Sequence, residues 1–260
     1  MVDNSTLGSK IESRKLTEAS AKHWPLVNSL RFSAFFSISV PIENKWWEEV
    51  TECSPDSTTT HLKSGVQITE GQFKDENIEG KLILMVHPTR IDWQLFPLNN
   101  ITIGEMEDSL NSFLALIRRW ITISPPVQRI AFGALLNTPL KSKKEICEWI
   151  AFYLPKIDLD EESSEFAFQI NRPRISTRIS DLYINRLSKW RVDTSFVVDL
   201  LNSTQFLEPQ HPEPQLSAKL ELDISTVPSG SIKFSSEEYS KVFEELVELG
   251  KEIVIKGDIK

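Results

Sequence analysis

Apolar side chains recur along this chain with two periods, and the places where the period changes mark its elements. Leu30, Phe32, Ala34, Phe36, Ile38 and Val40 occupy alternate positions, with Arg31, Ser33, Ser37 and Ser39 among the residues between them, which predicts a first strand. Trp46, Trp47 and Val50 predict a short helix that Asn44 is placed to cap. Residues 54–77 are rich in Ser, Thr, Asp and Lys, hold one short strand near Val66–Ile68, and read as the least ordered interior region. After Asn99 and Asn100, the residues Met106, Leu110, Phe113, Leu114, Ile117, Trp120 and Ile121 recur at helical spacing, with Arg118 and Arg119 near the C-terminal end of the dipole. Ser124-Pro125-Pro126 ends that helix, and Ile130, Phe132, Ala134 and Leu136 mark the next strand.

The stretch 81–96 organises this half. It reads as a β-hairpin in which His87 faces Arg90, Val86 faces Ile91, Leu84 faces Trp93 and Leu82 faces Leu95, because antiparallel partners count outward from the turn. Met85 with Asp92 and Ile83 with Gln94 mix apolar and polar groups, as on the wetter face of a sheet. A slip of one residue would turn Trp93 outward and Asp92 inward, so the register is well specified. Pro88 cannot take the positive φ of a type I′ turn, which predicts a type I turn within a slightly longer loop.

In the second half, Ser142 and Glu145 have capping-box spacing ahead of Ile146, Trp149, Ile150 and Tyr153. Strands are expected at Phe166–Ile170, Val192–Val198 and Leu216–Ile224, and the segment 208–214, with three prolines, reads as an extended connector. A final helix begins at Ser235 and Glu238, a second capping-box pair, with Phe234 and Tyr239 placed as a hydrophobic staple. The expected fold is α+β, with antiparallel sheet or sheets and helices packed on one face. The first half, running β-α-β-β-α-β, follows the plan of ferredoxin-like domains. Residues 1–24 read as a mobile N-terminal arm, 25–140 as an α+β half built on hairpin 81–96, and 141–260 as a second α+β half ending in a helix; the halves can form one domain.

Composition narrows the function. With 260 residues, 40% of them hydrophobic, the chain can bury a substantial core. A formal net charge of -8 opposes general affinity for nucleic acid or anionic membrane and favours protein partners, in a homo- or hetero-oligomer. Cys53 and Cys147 form no CxxC, which fits a cytoplasmic protein with neither a disulfide framework nor a zinc site. No apolar run approaches the roughly 20 residues of a membrane span, and the N-terminus lacks the pattern of a secretory signal. No motif calls for a cofactor; Gly230 stands alone between serines, so there is no glycine-rich phosphate loop.

Four clusters carry candidate chemistry. Pro55-Asp56 with Glu79-Gly80-Lys81 has the form of a metal-dependent PD-(D/E)xK nuclease motif, but Glu79 is expected in a solvated turn before the hairpin. His87 and Asp92 are the residue types of a base and its orienting carboxylate, yet counting from the turn disperses them along the hairpin. Asp158, Asp160, Glu161, Glu162 and Glu165 form an acidic loop without the spacing of a calcium site, read as solvated. The basic stretch of Arg172, Arg174, Arg178, Arg186, Lys189, Trp190 and Arg191, with Tyr183, is the candidate for contact with nucleic acid or a partner, since guanidinium groups bind phosphate and aromatic rings stack on bases. The competing expectation is that these cations pair with acidic residues of the chain itself or of a partner.

The early Leu30-Arg31-Phe32 strand, the Leu82–Leu95 hairpin with Trp93, the Pro126–Phe132 strand and the late Leu220-Glu221-Leu222-Asp223 strand before a terminal helix follow one another in an order that resembles a sporadically distributed, uncharacterised prokaryotic α+β family. Scattered occurrence of such a family implies an accessory role, phage defence included, and no functional residue is carried over from it. The expected function is a non-catalytic protein-interaction subunit or adaptor, with a nucleic-acid-binding or metal-dependent nuclease component as the alternative.

Overall fold

The computed structural model describes residues 24, 26–41, 45–76, 78–98, 102–163, 165–196, 214–228 and 234–257. The expected arm 1–24, apart from Trp24, lies outside them, as do Asn44, Asn99, Asn100, Val198, the connector up to residue 213 and Gly230. The elements run β1 (Leu26–Phe35), α1 (Lys45–Thr51), β2 (Ser57–His61), β3 (Val66–Lys74), β4 (Glu79–His87), β5 (Arg90–Pro97), α2 (Met106–Ile123), β6 (Arg129–Leu140), α3 (Lys143–Tyr153), β7 (Ala167–Asn171), β8 (Arg174–Ile175), β9 (Tyr183–Phe196), β10 (Pro214–Thr226) and α4 (Ser236–Lys256). The strands make one antiparallel sheet of ten, ordered β2-β3-β4-β5-β1-β6-β10-β9-β7, with β8 paired to β9. The fold is α+β.

Alternation decides which face of the sheet the helices cover. Leu30, Phe32 and Ala34 of β1 point the same way as Ile130, Phe132 and Ala134 of β6 and Leu220, Leu222 and Ile224 of β10, and all are buried. Their apolar surface needs cover, and the helices supply it. Phe32 meets Phe243 of α4 at 4.8 Å and Trp120 of α2 at 5.6 Å, while Trp46 of α1 meets Trp120 at 6.2 Å. At the other end, Trp24, Trp149 and Tyr153 of α3, and Trp190 of β9 form a second aromatic group with centroids 5.6–5.8 Å apart. The opposite face of the sheet carries no helix among the described residues.

Local signals explain the helix ends. Ser235 and Glu238 form a full reciprocal capping box on α4. On α3 the Ser142 side chain accepts from the Glu145 N–H, but Glu145 accepts from the Lys141 N–H, one residue before the cap, so the box is not reciprocal there. Helix α1 lies close on the sheet because Gly71 of β3 has no side chain: a Cβ there would stand 2.8 Å from Trp47 Cζ2, and Trp47 in turn stacks on Trp93 at 6.0 Å. Gly71→Val should therefore destabilise the chain by about 1–3 kcal/mol through overpacking, read as a lower urea midpoint; an unchanged midpoint would show that α1 is free to shift.

Several expectations need correcting. The hairpin has its expected register, His87 with Arg90 through Leu82 with Leu95, but β4 and β5 run right up to a two-residue turn at Pro88 and Thr89. The tip carbonyls accept hydrogen bonds from the N–H groups of Phe36 and Val40, which hold it without a longer loop. Consequently β1 ends at Phe35, and Ile38 is exposed. The region expected to be least ordered contains an edge strand, Ser57-Thr58-Thr59-Thr60-His61, paired along its length with β3. Threonine fits a pleated strand even where no side is buried. Glu79 lies in β4 and not in a turn before it.

The four strands β4, β5, β1 and β6 are neighbours, and β5 and β6, joined through α2, run parallel on either side of β1. However, β2 and β3 add two strands ahead of the hairpin and the sheet continues past β6 into β10, so a ferredoxin-like start is not established.

Candidate functional site

The helix-free face is where the described residues gather chemistry. Its central row runs Ile83, Gln94, Arg31, Gly133, Asp223, Leu187 across β4, β5, β1, β6, β10 and β9. Gly133 leaves the floor bare, and the Arg31 guanidinium lies over it; a Cβ at Gly133 would come within 3.2 Å of Arg31 Nε. Arg31 reaches Asp223 with one terminal nitrogen at 3.4 Å, while its Nε and Asp223 Oδ1 are buried without a hydrogen-bond partner in the structure. This is a loose pair beside a groove of about 220 Å³, whose walls include Phe96, Leu135, Arg191 and Glu221. Lys189 pairs with Glu221 at 3.2 Å, and Asp193 is shared by Lys219 at 2.6 Å and Arg191 at 3.5 Å.

A second group sits nearer the hairpin tip. Asp92 is 1% exposed, accepts from Ser33 Oγ at 2.5 Å, and lies 2.8 Å through each carboxylate oxygen from Arg90 Nε. His87 Nε2 is 3.8 Å from Asp92 Oδ2, too far for a hydrogen bond. The expected lack of a direct hydrogen bond between His87 and Asp92 agrees with this distance, whereas the expected dispersal of Arg90 from Asp92 is overturned, although the register that motivated it is right. Residues two apart on one strand share a face, and diagonal cross-strand neighbours stay within reach of long side chains. The guanidiniums of Arg90 and Arg129 both lie over Phe35, at 5.3 and 4.6 Å from the ring centroid. Arg129 is anchored by its Nε to Thr226 O at 3.0 Å and by a terminal nitrogen to Ser225 Oγ at 3.3 Å.

The basic stretch is split between environments. Arg186 is 2% exposed and stands 3.4 Å from Glu252 of α4; Trp190 is fully buried and donates to Ser188 Oγ at 3.0 Å. Arg178 stands 3.4 Å from Glu248, and just before it Ser176 Oγ and the Thr177 N–H donate to buried Glu245 at 2.5 and 2.6 Å. Glu245, Glu248 and Glu252 follow one another at three- and four-residue spacing, so one stripe of α4 takes up this part of the stretch. Arg172 donates its backbone N–H to Arg186 O, and Arg174 is exposed on β8. Lys189 and Arg191 reach the helix-free face, each beside a carboxylate, and Tyr183 of the same strand shares that face near the sheet edge.

The remaining clusters are quickly placed. Lys81 is held by Glu70 at 2.7 Å, Glu79 accepts from the Gln72 side chain, and Asp56 accepts from the Gln72 N–H at 3.0 Å. In the acidic loop, Asp160 accepts from both the N–H and hydroxyl of Ser163. Among the described residues no group of three or more His, Cys, Asp or Glu is placed to hold a metal ion, and no helix is long and apolar enough to cross a membrane. Burial pushes the Cys147 thiol up, with Glu161 and Asp160 adding to the effect, which leaves it poorly nucleophilic.

No family model and no curated protein matches the chain. The resemblance to a prokaryotic family therefore rests on its short motifs alone. Sequence reasoning missed Phe35, Arg129, Gln94 and Gly133 as members of a common surface, because only the β5-β1-β6-β10 register aligns them.

Proposed function

We propose that the chain is a non-catalytic protein-interaction subunit or adaptor of a prokaryotic multi-protein system, phage defence included, working in the cytoplasm, and that it meets its protein partner through the helix-free face of the sheet. The groove over Gly133 carries this reading. At about 220 Å³ it is smaller than the roughly 300–1,000 Å³ of a typical small-molecule pocket, and it suits a single anchoring side chain within a larger contact. Charge favours a partner of opposite sign: on this face Arg31, Lys74, Lys81, Arg90, Arg129, Lys189, Arg191 and Lys219 outnumber Glu70, Glu79, Asp92, Asp193, Glu221 and Asp223, although the whole chain is negative at -8. Contact with nucleic acid through the basic stretch is less favoured, since Arg186 and Trp190 are buried.

Gel filtration with light scattering, alone and with the products of neighbouring genes, tests the reading. A stable complex is expected with one of them and should be lost in Leu135→Glu, which places a negative charge beside the groove. A chain that stays monomeric with every product, or a complex indifferent to Leu135→Glu, would sink it.

A further inference from the structure

We propose that Arg90, Phe35 and Arg129 form a clamp for a carboxylate of an acidic peptide segment, an inference that rests on the protein-partner reading and gives that partner its chemistry. Two guanidiniums lie over one phenylalanine ring, at 5.3 and 4.6 Å from its centroid, so two like charges stand within about 10 Å of each other. The ring offsets part of their repulsion through its negative face and holds both planes in place. Each arginine is also fixed from behind: Arg90 by buried Asp92 through Nε, Arg129 by Thr226 O and Ser225 Oγ. No other hydrogen bond engages their terminal nitrogens among the described residues, so these donors remain for an incoming anion. Preorganised, half-exposed arginines of this kind bind a planar oxyanion with little further ordering.

The same geometry selects the ligand. The ring already carries both guanidiniums, so a nucleobase has no free aromatic face on which to stack. Two cations against the single carboxylate of Asp92 leave a net positive charge, which a carboxylate can neutralise. Gln94, Arg31 and Gly133 of the groove lie four residues along the same strands from Arg90, Phe35 and Arg129 and on the same face, so an extended peptide running along the strands spans both places.

The test uses the whole chain and fluorescein-labelled probes read by anisotropy at low salt: a peptide alternating glutamate and threonine, its glutamine counterpart, and oligothymidylate. The glutamate peptide should bind, with the other two at least about tenfold weaker. Arg129→Gln, which strands no carboxylate, should lose about tenfold or more, and Arg129→Lys should recover part of it, having the charge without the fork. Equal binding by wild type and Arg129→Gln would overturn the clamp and leave the protein-partner reading standing. If neither peptide binds while a complex with a gene product forms, the acidic ligand is overturned alone. No binding in either assay, or tightest binding to oligothymidylate, overturns both.

Discussion

Trp190→Ala should cost about 3–5 kcal/mol of folding stability, the range for truncating a fully buried aromatic residue. Trp190 is 0% exposed, packs on Trp24 at 5.8 Å and Tyr153 at 5.6 Å, and its indole N–H is satisfied by Ser188 Oγ. Removing it opens a cavity between β9, α3 and the entering chain, lined by large rings that cannot collapse into the space. For a chain of this size each kcal/mol lowers Tm by about 2–4 °C, so calorimetry should show a drop on the order of 10 °C. Trp190→Phe keeps part of the ring contact and should lose less than half as much. The outcome bears directly on the nucleic-acid alternative, in which Trp190 stacks on a base at the surface. A loss within about 0.5 kcal/mol, the level of ordinary surface substitutions, would return the residue to that role.

The contrast between Trp190 and the hairpin shows what periodicity can carry. In β4 and β5 the inward residues are Leu82, Leu84, Val86, Ile91, Trp93 and Leu95, so alternation is unbroken and the register follows by counting from the turn. Along β9 the inward residues are Ile184, Arg186, Ser188 and Trp190. Two of the four are polar, and the apolar alternation that announces a half-buried strand is lost. What permits a buried arginine there is Glu252 on α4, far along the chain and invisible to any local pattern. The edge strand β2 was hidden for the opposite reason: Ser57 through His61 are all exposed, so nothing alternates. The cluster around Asp92 was partly legible, since Arg90 and Asp92 are two apart and must share a face; Ser33 and Phe35 join them only once β1 is known to pair with β5.

Stability should fall steeply above pH 10, and two buried tyrosines are the reason. Burial pushes the phenols of Tyr153 and Tyr239 well above their ordinary value of 10, because the phenolate would have to leave water. Below pH 10 the folded and unfolded chains both hold these protons, and the stabilising difference is intact. Above pH 10 the unfolded chain releases them while the folded chain retains them, so unfolding gains about 1.4 kcal/mol per pH unit for each tyrosine. The two losses act in the same direction and add, against a total stability that is small for any single domain. Urea midpoints across this window should therefore decline much more steeply for the wild type than for Tyr153→Phe/Tyr239→Phe, whose rings cannot ionise. Tyr239→Phe has a second consequence at neutral pH. Its hydroxyl is buried without a hydrogen-bond partner in the structure, and a polar group in that state costs about 1–3 kcal/mol. The variant should match the wild type or exceed it by about 1 kcal/mol, reversing the usual sign for a change in a core contacting Phe32 and Trp120. Equal alkaline slopes in wild type and double variant would mean that the two tyrosines do not carry the pH dependence.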